Sequence, residues 1–393
     1  MSSTIIKENR FQELIDYVKT LYSEQGFIPL HAPVFSGNEK KYLNDCIDST
    51  FVSYIGKYVS QFEDMIASYT GAKHAVAVVN GTVALQIALE IIGTPEPDQE
   101  VITQPLTFVA TANAIAHTGS TPVFVDVDLD TLGMSPKSLS NFFEGYAIQK
   151  GSATYNKSTG RKIKAVMPMH TFGHPCRIDE IIEIADRYNL PVVEDAAESL
   201  GSSYKGRHTG TFGKVGVVSF NGNKTITAGG GGMIITDDEA IALRAKHITT
   251  TAKMPHDWEY IHDEIGYNFR LTNVSAALGV AQMEQLPEIL LNKRDTAEKY
   301  AKFCNQHDIP FVSEPSFSES NYWLNAIVLG DRKERDRFLR LSNDYGVMTR
   351  PIWRLMNGLK MYEKCQSDKI ENSQWLEERV VNIPSGVRGL QSL

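Results

Sequence analysis

The sequence has few cysteines and no long run of apolar residues. Its four cysteines, Cys46, Cys176, Cys304 and Cys365, are scattered through 393 residues, and none lies in C-x-x-C or metal-ligand spacing. This spacing favours reduced thiols over a disulfide framework or a zinc site. No apolar stretch is long enough to span a bilayer, and the first residues lack the basic-then-apolar layout of a signal peptide. We therefore expect a cytoplasmic protein.

An excess of positive charge is also absent. The net charge of −8 and the pI near 5.7 argue against a surface for nucleic acid or anionic lipid, although a local pocket for phosphate remains possible. The G-x-G-x-x-G motif of dinucleotide-binding enzymes is missing too, because the helix after the first predicted strand opens with NGTVALQ. This spacing disfavours a dinucleotide-binding oxidoreductase.

Short apolar strands alternate with helical patterns through the middle of the chain. Strands are predicted over residues 75–80, 101–104, 122–127, 163–168, 191–194, 215–220 and 233–236. The alternation predicts an α/β fold with a mostly parallel sheet that helices cover on both faces. Active sites of such sheets lie at the carboxyl ends of the strands, so polar residues just after a strand are the candidates for function.

Three segments are predicted along the chain. Residues 1–34 form an N-terminal helix and arm, residues 35–286 a large α/β domain, and residues 287–393 a smaller α+β domain. The second boundary depends on Pro287. A proline removes a helical hydrogen bond, so Pro287 is expected to end a helix over Asn273–Leu286 before a second, charged helix begins.

One lysine stands between two buried strands on a glycine-rich turn. In VGVVSFNGNKTITAGGGGMIITDD, Lys224 follows the strand Val215–Phe220 and precedes the strand Met233–Thr236. An amine held partly out of water at the end of a sheet is available for Schiff-base chemistry with an aldehyde. The alternative is an ordinary solvent-facing lysine on a turn.

Five further residues lie at or shortly after the ends of strands in the same sheet. Gly81 and Thr82 open a helix where backbone N–H groups could bind a phosphate, unless Thr82 is only a helix cap. Asp195 could hold a pyridine nitrogen protonated, or could form a cap or salt bridge. Phe108 could stack on a flat ring or belong to the core. Ser219 could donate to a phosphate or to the backbone. Together with Lys224 these are the parts that pyridoxal phosphate needs.

The chain resembles the fold-type I pyridoxal-phosphate enzymes and, within them, the DegT-type sugar-nucleotide aminotransferases. The resemblance runs from about residue 27 to residue 384. It is carried by the motifs NGTVALQIAL, PLTFVATANAI, VVEDAAESLGS, SFNGNKTITAGGGGM and GYNFRLTNVSAALG.

The resemblance implies a role for each matching residue. Lys224 would hold the cofactor as a Schiff base and shuttle the proton, and Asp195 would pair with the pyridine nitrogen. Glu198 stands where many relatives have a glutamine that contacts the cofactor's phenolic oxygen. Asn268 would reach the phosphate of the neighbouring subunit's cofactor, which implies a homodimer with active sites at the interface. A dehydratase sub-branch replaces the lysine with histidine, so Lys224 favours transamination.

A closer resemblance suggests the substrate. Seven segments look like the legionaminic-acid-pathway type of 4-aminotransferase, namely FIPLHAPVFSGNEKKYL, SYIGKYVSQFE, PMHTFGHP, TTTAKMPHDWEYIHDEIGYNFR, NYWLNAI, RPIWRLM and NIPSG. That group implies glutamate as the amine donor and a UDP-2-acetamido-2,6-dideoxy-4-keto-hexose as the acceptor, giving a UDP-4-amino sugar for surface glycans. The alternatives are another keto sugar, such as a GDP-linked one that gives perosamine, and a protein that binds the cofactor only as a regulator.

Four residues are candidates for substrate contact. Tyr54 lies where relatives often carry Ser or Thr, and His170 could contact the hexose or keep a structural bond to the backbone. Arg350 and Trp353 could flank the donor carboxylate or the nucleotide, or form a packing cluster. No metal site is predicted, because no cysteine or carboxylate stands at ligand spacing from the histidines at 256 and 262.

Overall fold

The computed structural model describes residues 2–24, 26–93, 96 and 98–389. Helices α1 to α11 span Ser2–Leu21, Glu39–Asp48, Lys57–Thr70, Gly81–Ile91, Val109–His117, Pro136–Tyr146, Ile178–Arg187, Glu239–Thr249, Asn273–Gln306, Arg332–Asp344 and Glu371–Glu377. Strands β1 to β15 span His74–Val78, Glu100–Thr103, Thr121–Phe124, Ala147–Lys150, Ala153–Asn156, Ile163–Met167, Val193–Asp195, Ser203–Tyr204, Arg207–His208, Val215–Ser219, Gly232–Thr236, Ser318–Glu319, Asn325–Val328, Arg350–Pro351 and Val380–Ile383. Across these described ranges, no helix combines the length and the apolar character that crossing a bilayer needs.

A central sheet of seven strands organises the large part of the molecule. Its two halves have the orders β3-β2-β6 and β7-β10-β11-β1. They join where Val166 N–H donates to the carbonyl of Pro191 at 3.1 Å and Asp195 N–H donates to the carbonyl of Pro168 at 2.9 Å. The pairs are parallel except that β11 runs antiparallel to β1 and β10. The predicted mostly parallel α/β sheet is therefore confirmed.

Helices cover both faces of this sheet, which explains why its strands are continuously apolar. On β1, Val76 and Val78 pack in a cluster with α4 and α8, whereas Ala77 packs on the opposite face with α3 and α9. The same alternation occurs on β10, where Val217 and Val218 face opposite clusters. Successive side chains of a strand point to opposite faces, so both faces must be apolar to be buried.

The smaller, C-terminal part is built on a three-stranded antiparallel sheet. Its strand order is β13-β15-β14. Helix α1 packs on this part through the buried side chains of Phe11, Leu14 and Ile15, which share a cluster with Phe338 of α10. The N-terminal helix therefore belongs to the same core as the C-terminal strands.

The expected helix break at Pro287 is wrong. Helix α9 runs without interruption from Asn273 to Gln306 with Pro287 inside it. A proline in a helix interior costs about 3 kcal/mol, because one hydrogen bond is lost. Residues on both sides of it, Met283, Leu286 and Ile289, are buried in the same cluster under the large sheet. We infer that this shared burial offsets the cost. The division at residues 286 and 287 stays a prediction.

Glycine 279 allows α9 to approach α3 closely, and this contact gives a test of the core. A Cβ at Gly279 would lie 2.6 Å from the ring of Phe62, which is fully buried. We expect Gly279→Ala to lower the free energy of unfolding by roughly 1–3 kcal/mol through overpacking. Gly145→Ala, in α6, is the matched control because its Cβ would meet nothing within 4 Å. Chemical denaturation should show a loss only for Gly279→Ala, and equal effects would contradict the packing.

Candidate active site

A cavity of about 760 Å³ opens at the carboxyl edge of the central sheet. One side is formed by the ends of β7 and β10 and by the first residues of α4 and α5, and the other by residues of the C-terminal part. The residues predicted from the sequence that line it are Gly81, Thr82, Phe108, Asp195, Glu198, Ser219, Lys224, Arg350 and Trp353. The chain thus brings together residues that are up to 272 positions apart, from 81 to 353.

Asp195 is a buried carboxylate without an ion pair in the described structure. Its Oδ2 accepts a hydrogen bond of 2.7 Å from the hydroxyl of Thr111, and its Oδ1 accepts one of 3.2 Å from the N–H of Ala197. Burial raises the pKa of Asp195, and these bonds and the charge of Lys224 only partly offset the effect. A protonated ring nitrogen in the cavity would supply the missing positive partner.

Lys224 lies beside a second buried carboxyl group and under an aromatic ring. Its Nζ donates to Oε1 of Glu198 at 3.2 Å and lies 4.1 Å from the ring centroid of Trp323. The indole N–H of Trp323 donates to the carbonyl of Asn223 at 2.6 Å, which ties the ring to the lysine's own turn. The predicted position at the end of the sheet is therefore the observed one.

Burial favours the protonated form of Glu198. Burial raises the pKa of Glu198 to about 7, against the opposing attraction of Lys224 and a hydrogen bond from the N–H of Phe172. A protonated carboxyl group can donate a hydrogen bond, as the amide of a glutamine can. In its protonated form Glu198 can therefore donate a hydrogen bond to a group in the cavity.

The start of α4 forms an anion cradle against the end of β10. The cap of this helix is Asn80 and not Thr82, because Oδ1 of Asn80 accepts the N–H of Val83 at 2.8 Å. A Cβ at Gly81 would lie 2.9 Å from Cβ of Ser219, so only glycine allows this approach. The helix N-terminus and the serine hydroxyl thus face one space of the kind that binds a phosphate.

Two aromatic side chains, Phe108 beside the sheet and Trp353 in the C-terminal part, form an apolar wall of the cavity. Phe108 caps α5 and is 47% exposed, so it is not a core residue. Its ring centroid lies 6.4 Å from that of Trp353, which in turn lies 5.0 Å from the ring of Phe172. This wall offers a flat ring an apolar surface.

The expectation that His170 contacts substrate requires correction. This side chain is fully buried and does not line the cavity. Its Nε2 lies 3.0 Å from Oε2 of Glu194, and its Nδ1 accepts the N–H of Cys176 at 3.2 Å. Both ring nitrogens are thus engaged within the fold. His170 instead supports the strand end that carries Asp195, whose carbonyl accepts the N–H of His170 at 3.1 Å.

Tyr54 and Asn268 lie outside the cavity. Tyr54 is 37% exposed, and Asn268 is exposed beside an isolated bridge to Thr250. Asn268 is expected to serve a neighbouring subunit, and its role and that of Tyr54 stay predictions.

The structure also adds residues that sequence reasoning missed. Thr111 contacts Asp195, and Trp323 contacts Lys224. Both residues lie in motifs that carry the resemblance, PLTFVATANAI and NYWLNAI. Further polar residues line the outer part of the cavity, namely Arg332, Arg335, Arg354, Glu377 and Asn382. Arg354 lies in the segment RPIWRLM and Asn382 in NIPSG, whereas no local sequence pattern marked Arg332, Arg335 and Glu377, which come from α10 and α11.

The absence of a metal site stays a prediction. Nδ1 of His256 accepts the N–H of Glu259, and Nδ1 of His262 lies 2.8 Å from the carbonyl of Thr251. The described residues do bring His247, Asp263 and Glu264 together, but Glu264 already pairs with Arg244. This cluster lies apart from the cavity lining.

Comparison with known proteins defines the class. Residues 34–389 match the model of the DegT/DnrJ/EryC1/StrS aminotransferase family, and the chain belongs to this family. It is 39% identical to a GDP-perosamine synthase of Escherichia coli O157:H7, over 91% of this chain and 93% of that protein. A GDP-perosamine synthase of Vibrio cholerae is 36% identical over 91% and 94%. The aminotransferase TlmJ of Streptoalloteichus hindustanus has a TM-score of 0.82 at 27% identity, covering 92% and 94%.

The protein is thus a pyridoxal-phosphate-dependent sugar aminotransferase of fold type I, as the sequence predicts. The cavity fits this cofactor on two observations. The buried carboxylate of Asp195 has no cationic partner at ion-pair distance in the described structure, and the α4 cradle is closed to any side chain at residue 81. The comparisons do not show the finer prediction of a legionaminic-acid-pathway enzyme, because the Escherichia coli and Vibrio cholerae relatives are both named for another sugar, perosamine.

The raised pKa of Glu198 predicts how stability depends on pH. Between its ordinary value of 4.5 and about 7, the folded protein keeps a proton that the unfolded chain has lost. The stability of the wild type therefore falls as pH rises through this window. Glu198→Gln should remove roughly 1–3 kcal/mol of that fall, because amide groups do not titrate. Unfolding of the cofactor-free protein between pH 4.5 and 8 measures this, and parallel profiles for both proteins would contradict it.

Proposed function

We propose that the protein transfers an amino group from glutamate to C4 of a UDP-2-acetamido-2,6-dideoxy-4-keto-hexose, giving a UDP-4-amino sugar for surface-glycan synthesis. The observation that carries the chemistry is the meeting of Lys224, Asp195 and Glu198 in one cavity. We place the reaction in the cytoplasm as part of the same proposal.

Each residue at the cofactor end of the cavity has a distinct chemical role in this proposal. Pyridoxal phosphate, when bound, supplies an aldehyde for the Schiff base and a ring that withdraws electrons. Lys224 Nζ would hold the aldehyde and, when free, would remove and return the proton at the reacting carbon. Asp195 would keep the ring nitrogen protonated, and Glu198 in its protonated form would donate to the phenolic oxygen. Gly81, Thr82 and Ser219 would hold the phosphate.

The identity of the sugar is supported by where its motifs lie. Segments that resemble the legionaminic-acid-pathway type contribute residues to the cavity lining, among them Leu30, Met169, Trp323, Leu324, Arg350 and Trp353. Side chains on the substrate side decide specificity, whereas the shared fold does not. A GDP-linked 4-keto sugar is the second candidate, because relatives at 39% and 36% identity carry the name GDP-perosamine synthase.

We further propose a homodimer with active sites at the interface. Two segments of the chain expose large apolar side chains. One contains Phe51 and Ile55, which are 56% and 58% exposed, and the other contains Trp258 and Ile265, which are 77% and 92% exposed. Monomeric proteins rarely leave such groups uncovered. Tyr54 and Asn268 lie in or beside these segments. A second copy that covers the segments would therefore place both residues at the interface, where they could serve the neighbouring subunit's site.

A panel of nucleotide sugars tests the substrate. We expect purified protein with glutamate to aminate the UDP-N-acetylated 4-keto sugar, as read by mass spectrometry. Lys224→Ala should abolish turnover, since no other amine replaces its Nζ, whereas Lys137→Ala, on the exposed surface of α6, should leave it unchanged. Amination of the GDP-linked sugar alone would overturn the choice of sugar. Amination of no sugar would favour a regulator.

A mixing experiment tests the shared site. If Asn268 serves the partner's cofactor, dimers of Lys224→Ala with Asn268→Ala contain one site with both changes and one site with neither. Two weak variants co-expressed in equal amounts should therefore recover about a quarter of wild-type activity, because half of the dimers are mixed. Co-expression of Lys224→Ala with Asp195→Ala is the control and should recover nothing if both residues serve their own site. Equal results for the two pairs would contradict the shared site.

A further inference from the structure

The outer part of the cavity is strongly basic, although the chain carries a net charge of −8. Four arginines line it. Arg332 and Arg335 come from the first turns of α10, Arg350 comes from β14, and Arg354 follows that strand. Among the acidic residues that line the cavity, only Glu377 accompanies them, since Asp195 and Glu198 belong to the cofactor end. Local positive charge therefore exceeds local negative charge by about three.

The fold positions these arginines without neutralising them all. Arg335 is held by Oδ1 of Asp336 at 2.7 Å, and Arg332 lies 3.7 Å from Oε2 of Glu377. Arg350 contacts only neutral oxygens, those of Asn343 at 3.3 Å and Thr349 at 3.0 Å. Arg354 has no hydrogen bond or ion pair with any residue that the structure describes.

A buried amide donor without a partner lies beside these arginines. Asn382 lines the cavity, is 3% exposed, and its Nδ2 finds no acceptor among the described residues. It pairs with Arg350 across β14 and β15, and both residues line the cavity. A buried donor left without an acceptor costs free energy, and an oxygen of a bound ligand would remove that cost.

We propose that Arg332, Arg335, Arg350, Arg354 and Asn382 form a second anion subsite that binds the diphosphate of the nucleotide sugar. The cofactor's phosphate has its own cradle at the start of α4, so these groups are available to another anion. Guanidinium groups suit phosphate oxygens because they donate two parallel hydrogen bonds. This subsite depends on the proposed function, since it assigns a region of the same cavity to one part of that substrate.

A diphosphate matches the subsite better than glutamate does. A nucleotide-linked diphosphate brings two negative charges on adjacent groups and no positive charge. Glutamate brings its two carboxylates with an ammonium group, which four arginines would repel. The excess positive charge of the subsite therefore favours the diphosphate as its ligand.

Binding of UDP and GDP to the cofactor-loaded protein tests the subsite directly. Arg354→Met removes a guanidinium that the described fold does not use, and Arg350→Met/Arg354→Met removes two. Lys333→Met is the matched control, because it removes the same charge from the same turn of α10 at a residue outside the cavity. We expect the Kd of either nucleotide, measured by calorimetry, to rise at least about tenfold in the double variant and to depend less on salt. Lys333→Met should bind as the wild type does.

Two further readouts separate the subsite from the proposed function. Conversion of the bound cofactor by glutamate alone should proceed at the wild-type rate in the arginine variants. A loss of this half-reaction with unchanged nucleotide binding would overturn the subsite and assign these arginines to the amine donor. Unchanged Kd values for UDP and GDP in Arg354→Met and in the double variant would also overturn it. If nucleotide binding weakens as expected but neither sugar is aminated, the proposed substrate fails and the subsite stands.

Discussion

The unpaired, buried carboxylate of Asp195 is the constraint on which the site depends. It lies where β7 ends, and backbone hydrogen bonds to Pro168 and His170 fix that strand end against β6. An isolated negative charge in a protein interior is unfavourable, and here burial raises the pKa of its carboxyl group. The bonds from Thr111 and Ala197 hold it without neutralising it. The fold therefore holds a carboxyl group whose ionised form a cationic ring nitrogen would stabilise.

The parallel sheet brings other functional groups to the same edge as Asp195. Lys224 follows β10, the cradle at Gly81 follows β1, and Phe108 starts the helix after β2. Each comes from a different part of the chain, yet all carboxyl ends of parallel strands meet at one edge. The C-terminal part then closes the cavity with Trp323 over the lysine and with a basic outer wall. The large part of the molecule thus supplies the cofactor end of the cavity, and the C-terminal part supplies most of the substrate end.

The sequence predicted the cofactor end better than the rest, for physical reasons. Asp195 and Ser219 end buried strands and Lys224 follows one of them closely, so the end of the strand fixes where these residues lie. His170 also follows a strand but turns into the interior, because Glu194 and Cys176 engage its ring, which a single strand pattern cannot show. The break expected at Pro287 fails because core burial outweighs local preference. The arginines and Asn382 come together only through tertiary packing of α10, β14 and β15.

The central claim is that Lys224 is the residue that binds pyridoxal phosphate at this edge. Its most direct test is borohydride reduction of the protein after addition of the cofactor, followed by peptide mass spectrometry. We predict one stoichiometric adduct on Lys224, because its Nζ is the only lysine amine among the residues lining the cavity. A dominant adduct on any other lysine, or none, would contradict the assignment of the site.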